Sequence, residues 1–216
     1  MKKNFAIIGL SMFGTQLAME LQSLGHSVVV IDRDEEKIAN IRNEVTEAVI
    51  ADITVPAVVE ELDVNKFDAI VISMPDYFED AIFALTLLKQ QGTQTVMVQA
   101  KTVIQKQILY KLGASEVILP DRDMADRLSK KLSMSEITDM FNFKGLAIAD
   151  LKIQDEYDGK SLRELDLRNR FNVNVLLLRK PGRDPEPVWN PDDPLHKGDE
   201  LTVIGKEDDI VRAFKD

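Results

Sequence analysis

Phe5-Ala6-Ile7-Ile8-Gly9-Leu10-Ser11-Met12-Phe13-Gly14 is the stretch whose reading decides the fold. Four apolar residues make a buried strand and run straight into a glycine turn. Leu17, Leu21 and Leu24 then recur at helical spacing, and Gly25 ends the helix. A second apolar run, Val28-Val29-Val30-Ile31, closes on Asp32. Strand, glycine turn, helix, strand and acid follow in the order that a phosphate-binding βαβ unit requires.

Gly9 and Gly14 stand at the first and third glycine positions of the G-x-G-x-x-G fingerprint, and Ser11 replaces the middle one. The first glycine permits the tight turn, and the third lets helix and strand pack closely. The middle one gives a pyrophosphate room to approach the backbone. The fold signal is therefore intact and the phosphate signal weakened. Asp32 sits where an acid accepts hydrogen bonds from ribose hydroxyls. It also reads, together with Asp34, as a cap for the following helix.

Outward from this unit the pattern repeats. Ile38, Ile41 and Val45 form a helical stripe, and Ala48-Val49-Ile50-Ala51 a third strand. Thr54 is expected to cap the next helix, with Pro56 in its first turn. Further strands are Ala69-Ile70-Val71-Ile72, Val96-Met97-Val98 and Glu116-Val117-Ile118-Leu119. Ile82, Leu85 and Leu88 mark one intervening helix; Ile104, Ile108 and Leu112 mark another, stopped by Gly113. Runs this apolar belong to strands covered on both faces, so a doubly wound parallel α/β sheet of Rossmann type is expected over residues 1–120.

The pattern changes after Pro120. Met124, Leu128 and Leu132 form an apolar stripe, and a short helix is expected through Ile137, Met140 and Phe141. Residues 121–144 read as crossover helices and linker. Residues 145–216 read as a smaller α+β domain, with strands at 146–153, 173–178 and 201–204 and a proline-rich loop before the last. The stripe, continued by Met140, Phe141 and Phe143, exceeds what a small domain buries and predicts an oligomer larger than a dimer.

Composition narrows the function. Lys and Arg number 27 against 37 Asp and Glu, a net charge of −10, which disfavours nucleic acid and unaided docking on anionic lipid. The chain has no cysteine, so thiolate chemistry and zinc–thiolate sites are excluded. Neither a signal peptide nor a spanning segment is expected, so any membrane role runs through an integral partner. An NAD(P)-dependent oxidoreductase would need a proton donor near its substrate. The two histidines are His26, in the turn after the first helix, and His196, in a loop before Lys197-Gly198-Asp199. Both read as solvated loop residues; Asp192-Asp193 reads as loop solvation, with a cation site as the alternative, and Glu207-Asp208-Asp209 as a helix start. A Rossmann shell that has lost its ligand is the other competing reading.

The whole chain resembles the regulatory subunits of bacterial Ktr/Trk potassium-uptake systems, built from RCK domains with TrkA-N and TrkA-C parts. The resemblance rests on Phe5 to Leu10, Phe13-Gly14, Val30-Ile31-Asp32, Lys111-Leu112-Gly113-Ala114 and Val117-Ile118-Leu119-Pro120. In the second half it rests on Lys160-Ser161-Leu162, Asp166-Leu167-Arg168 and Lys197-Gly198-Asp199-Glu200-Leu201. It implies a cytoplasmic homo-octameric ring, peripheral to the inner membrane, that gates an integral potassium channel subunit in response to nucleotide. The implied ligands are ATP or ADP, a divalent cation assisting ATP and, in some members, cyclic di-AMP at a second site; acceptance of AMP or NAD is expected from this chain's own departures from the family.

The residues implied for the nucleotide are Gly9, Ser11, Met12, Phe13, Gly14, Asp32, Arg33, Asp52, Ile53, Ser73, Met74 and Gln99. Asp121 corresponds to a metal-contacting glutamate, and Asp166 and Arg168 to contacts for the second ligand. This chain departs from the family at several of these positions. Ser11 stands for a glycine, Met12 for an arginine that touches the terminal phosphate, and Gln99 for a basic residue; in the second site Arg163 and Asn174 replace apolar contacts. The missing charges predict weak discrimination between ATP and ADP.

Overall fold

A computed structural model describes residues 1–133, 137–143 and 145–214. The chain divides into two compact units, Met1–Arg122 and Asp123–Asp216.

The first unit alternates strand and helix. Its elements are β1 (Asn4–Ile8), α1 (Met12–Ser23), β2 (Ser27–Asp32), α2 (Glu35–Ile41), β3 (Glu47–Ile50), α3 (Pro56–Glu61), β4 (Ala69–Ile72), α4 (Phe78–Gln90), β5 (Val96–Gln99), α5 (Val103–Lys111) and β6 (Glu116–Ile118). The six strands form one parallel sheet in the order β3-β2-β1-β4-β5-β6. The order reverses between β1 and β4, which opens a crevice at the carboxyl ends of those two strands.

Strand alternation explains the unbroken apolar runs. Ala6, Ile8, Val29, Ile31, Ile70 and Ile72 pack on one face with Leu85 and Leu88 of α4. Ile7, Val28, Val30 and Val71 pack on the other with Ala18 of α1 and Ile38 of α2. Each central strand must satisfy two cores, so the interior positions of each are apolar.

One local expectation of the first unit is corrected, and one helix is oriented differently from its neighbours. Thr54 does not cap α3: Val55 holds the cap position without a side-chain bond, Pro56 opens the helix, and the Thr54 hydroxyl turns back to Asp52. The stripe Ile104, Ile108 and Leu112 is the outer face of α5, which reaches the core through Leu109. The start of α5 is fixed by a reciprocal cap between Thr102 and Gln105.

α6 (Pro120–Ser133) leads into the second unit. There follow β7 (Ile137–Phe143), β8 (Leu146–Lys152), two short helices α7 (Leu162–Leu165) and α8 (Leu167–Phe171), β9 (Asn174–Arg179), β10 (Glu186–Pro187), β11 (Glu200–Gly205) and α9 (Glu207–Phe214). The sheet is antiparallel, in the order β10-β9-β11-β8-β7. One core lies against it, built from Ala147, Ala149, Leu151, Leu201 and Val203 with Ile210, Ala213 and Phe214 of α9.

The short helix expected through Ile137, Met140 and Phe141 is strand β7, hairpinned to β8 around Gly145 at φ +85°. A register shift between Ile137 and Asp139 puts both Ile137 and Met140 against the core. The bulge turns an alternating pattern into a spacing of three, which imitates a helix. The other residues of the expected linker, 134–136 and 144, lie outside the described residues. Among the described residues no helix is long and apolar enough to cross a membrane.

Candidate functional site

The glycine turn is built against the end of β4. Gly9 has φ +85°, and a Cβ there would stand 2.7 Å from the Ser73 carbonyl oxygen. A Cβ on Gly14 would stand 2.7 Å from both the Gly9 carbonyl oxygen and the Ser73 hydroxyl. Both positions therefore demand glycine, the first for conformation and space and the second for space alone.

Ser11 is the N-cap of α1, and its Oγ accepts the Gly14 N–H at 3.2 Å. The same hydroxyl lies 2.7 Å from Ser73 Oγ and donates to Gln99 Oε1 at 3.0 Å, while Ser73 Oγ donates to Gln99 Oε1 at 2.7 Å. Each hydroxyl carries one proton, so two of the three contacts are hydrogen bonds at any moment, and this partly buried triangle ties the head of α1 to the ends of β4 and β5. Gln99 thus points inward as a support. The N–H groups of Met12 and Phe13, in the first turn of α1, have no protein partner among the described residues. They are the free donors of a helix N-terminus, where an anion is favoured.

Asp32 ends β2 with its side chain 10% exposed. Oδ2 accepts the Leu10 N–H at 2.6 Å and Oδ1 accepts the Asp34 N–H at 2.9 Å. The carboxylate therefore clamps the glycine turn, with lone pairs left over for a ligand hydroxyl. Asp34 caps α2, accepting from the Glu36 and Lys37 N–H groups. The capping role read for both acids belongs to Asp34.

A cleft with about 540 Å³ of empty space, open solvent included, lies at this edge of the sheet. Gly9, Ser11, Asp32, Arg33, Asp52, Ile53, Ser73 and Met74 all line it. Met12, Phe13, Gly14 and Gln99 do not; the Met12 side chain is 91% exposed. The lining also includes Leu10, Lys37, Thr54, Asp76, Tyr77 and Asp80, none of which the sequence pattern had placed in the site. The last three follow β4, on the far side of the crevice, and topology was the signal that could have found them.

The charges of the cleft are mostly engaged. Arg33 Nη1 lies 3.3 Å from Asp80 Oδ2, and Lys101 pairs with Asp76. The Thr54 hydroxyl, then the Thr54 N–H, both donating to Asp52 Oδ1, hold the Asp52 carboxyl below the usual aspartate range, and Arg33 adds to this. Asp32, Asp52, Asp76 and Asp80 face only Arg33 and Lys37 in the lining, so the walls carry more negative than positive charge.

The other implied residues lie elsewhere. Asp121 is exposed in the first turn of α6, and no group of three metal-ligating side chains occurs among the described residues. Asp166, at φ +46°, and Arg168 share a shallow groove in the second unit with Leu162, Asn174 and Pro191. His26 packs edge-on against Phe5 and accepts the Lys3 N–H at 3.3 Å, at the edge of the sheet opposite the cleft. His196 lies 3.6 Å from Asp158 in the second unit.

Residues 5–120 match the TrkA-N domain and residues 146–216 the TrkA-C domain. The chain is 31% identical to Ktr system potassium uptake protein A of Vibrio alginolyticus, over 99% of this chain and 97% of that one. It is 29% identical to Ktr system potassium uptake protein C of Bacillus subtilis strain 168, over 100% and 97%. The solved structure of the GsuK channel bound to NAD aligns with a TM-score of 0.66 at 18% identity, over 100% of this chain and 39% of that one; at this identity the likeness shows the fold. In sequence along its whole length and in the parallel TrkA-N sheet that carries the cleft, this chain belongs to the TrkA-N/TrkA-C family of Ktr potassium-uptake proteins.

Proposed function

We propose that this protein is the nucleotide-responsive regulatory subunit that gates a membrane potassium channel or transporter. The observation that carries this reading is the cleft at the β1–β4 switch point, in a chain similar over its full length to Ktr potassium-uptake proteins. It acts by binding, not by turnover, at the cytoplasmic face of an integral partner. Co-purification from native membranes followed by mass spectrometry tests this: a potassium-transport subunit is the expected companion. Turnover of a nicotinamide cofactor with a small substrate would instead favour an oxidoreductase.

The ligand is an adenine nucleotide whose ribose is held by Asp32 and whose first phosphates sit near the free Met12 and Phe13 N–H groups. Three features support weak discrimination by phosphate number. The Ser11 hydroxyl is committed to Ser73 and Gln99, Met12 carries no charge, and the excess carboxylates repel added phosphates. ATP and ADP bind alike, and AMP or NAD is accepted. A divalent cation, where present, is held by the phosphates more than by Asp121. The groove at Asp166 and Arg168 is the place to look for cyclic di-AMP.

The assembly is a ring of copies, with eight as the number the family suggests. Support comes from Met124, Leu128 and Leu132, which stand 59%, 48% and 77% exposed along α6. Light scattering at micromolar concentration gives a species larger than a dimer; a clean monomer with and without nucleotide would sink the ring.

A further inference from the structure

Arg33 is the cleft residue that neither the glycine turn nor Asp32 explains. It follows β2 directly and acts on Asp52 after β3, yet its ring contact and its ion pair lie beyond β4. The guanidinium carbon is 4.7 Å from the centroid of the Tyr77 ring, and Nη1 is 3.3 Å from Asp80 Oδ2. Tyr77 occupies the cap position of α4 and Asp80 sits in its first turn. The loops after β2 and β4 lie on opposite sides of the crevice, so this side chain spans its mouth.

A purely structural ion pair does not account for the arrangement. The Arg33 and Asp80 side chains are 50% and 30% exposed, and pairs so exposed contribute little to stability. What the arrangement does fix is the guanidinium. Tyr77 backs the guanidinium and Asp80 holds one of its nitrogens, while the side chain stays 50% exposed, so part of the guanidinium is displayed to the cleft. Its plane is a stacking surface for an aromatic ring.

We propose that Arg33 is the base-stacking residue of the cleft, with the heteroaromatic ring of a nucleotide lying on the part of the guanidinium displayed to the cleft. The inference rests on the reading of the cleft as a nucleotide site. Chain order supports the placement. Phosphates at the head of α1 and ribose at Asp32 leave the base to continue away from the glycine turn, toward Arg33, Asp52 and Ile53, which line the cleft together. Asp80 satisfies the charge of Arg33, so the residue serves through its plane and not as a ligand of the terminal phosphate. Tyr77 and Asp80 are positioning residues.

Stacking depends on ring area, whereas charge attraction does not distinguish one base from another. The test therefore compares ADP with UDP, which share charge and sugar and differ in the size of the base. Calorimetry on the nucleotide-stripped full chain is expected to show ADP bound about tenfold more tightly than UDP. Arg33→Lys keeps the charge and removes the plane, so the ratio falls toward one, chiefly through weaker ADP binding. Arg33→Ala does the same, and Tyr77→Leu, which removes the backing ring, gives an intermediate ratio. An unchanged ADP-to-UDP ratio in Arg33→Lys overturns the proposal, even if both affinities fall together. Failure of the folded, stripped wild-type protein to bind either nucleotide overturns the reading of the cleft and this inference with it.

Discussion

The two sheets of this molecule are built from similar residues and do different things. In the parallel sheet every strand ends at the same edge, so the loops after β1, β2, β3 and β4 converge on one cleft. In the antiparallel sheet neighbouring strands run in opposite directions, so connections are divided between two edges and polar side chains are dispersed. The first sheet is covered on both faces and carries two cores; the second carries one. Strand direction thus decides where a site forms before any particular side chain is considered.

The sharpest way to break this comparison is to unfold one sheet and ask what the other retains. Phe214 is 1% exposed, meets Tyr157 edge-to-face at 5.8 Å, and closes the core of the second unit. Phe214→Ala is expected to destabilise that unit by about 3–5 kcal/mol. Nucleotide binding, which we assign to the first unit, should persist. Urea unfolding followed by far-ultraviolet dichroism, with nucleotide titration at low urea, measures both. Loss of nucleotide binding along with the second unit would mean that the two do not fold independently.

The converse change is Gly14→Ala. The new Cβ would press on the Gly9 carbonyl and the Ser73 hydroxyl, so a cost of about 1–3 kcal/mol is expected, confined to the first unit. Unlike most destabilising changes, it should also disturb the nucleotide site, because the Ser11–Ser73–Gln99 triangle lies beneath that contact. A normal unfolding midpoint would show that the head of α1 moves away without cost.

The difference between the sheets also governed what the sequence disclosed. Double burial made β1, β2 and β4 unbroken apolar runs, so the order of strand and helix through β6 was plain from pattern alone. Gly9, Gly14 and Asp32 were legible for a related reason: each meets a requirement at a fixed distance from a strand end. The second unit was harder. The bulge in β7 disguised a strand as a helix, and β10, only Glu186–Pro187, is too short to carry a period. Tyr77, Asp80 and Lys37 were missed because their place in the cleft comes from strand order, not from spacing along the chain. The inward turn of Gln99 was hidden too, since nothing in the sequence says which of two neighbours a buried amide will choose.

A smaller effect sharpens the cleft itself. Asp32→Ala removes the acceptor for the Leu10 N–H and the acid expected to hold a ribose. Charge-assisted bonds of this kind contribute about 1.5–3 kcal/mol, so ATP, ADP, AMP and NAD should each bind roughly ten- to a hundredfold more weakly. The loss should be the same for all four, because the ribose is common to them. A loss confined to ATP would place Asp32 at the phosphates instead.

The smallest expected effect concerns acid. Arg127 of α6 clasps Asp139 of β7, Nε donating to Oδ1 at 2.7 Å and Nη2 to the other oxygen. These hydrogen bonds hold the Asp139 carboxyl below the usual aspartate range. A carboxylate whose folded pKa is depressed stabilises the fold above its unfolded value, and that contribution is lost as pH falls through the folded value. Arg127→Ala should therefore lower the unfolding midpoint of the second unit slightly at neutral pH. The gap from wild type should close once the medium is acid enough to protonate Asp139 in both. The pair is partly exposed, so the neutral-pH effect should also shrink in high salt. A gap that persists undiminished into acid would mean that Arg127 acts through packing of its aliphatic stem on β7 and not through its charge.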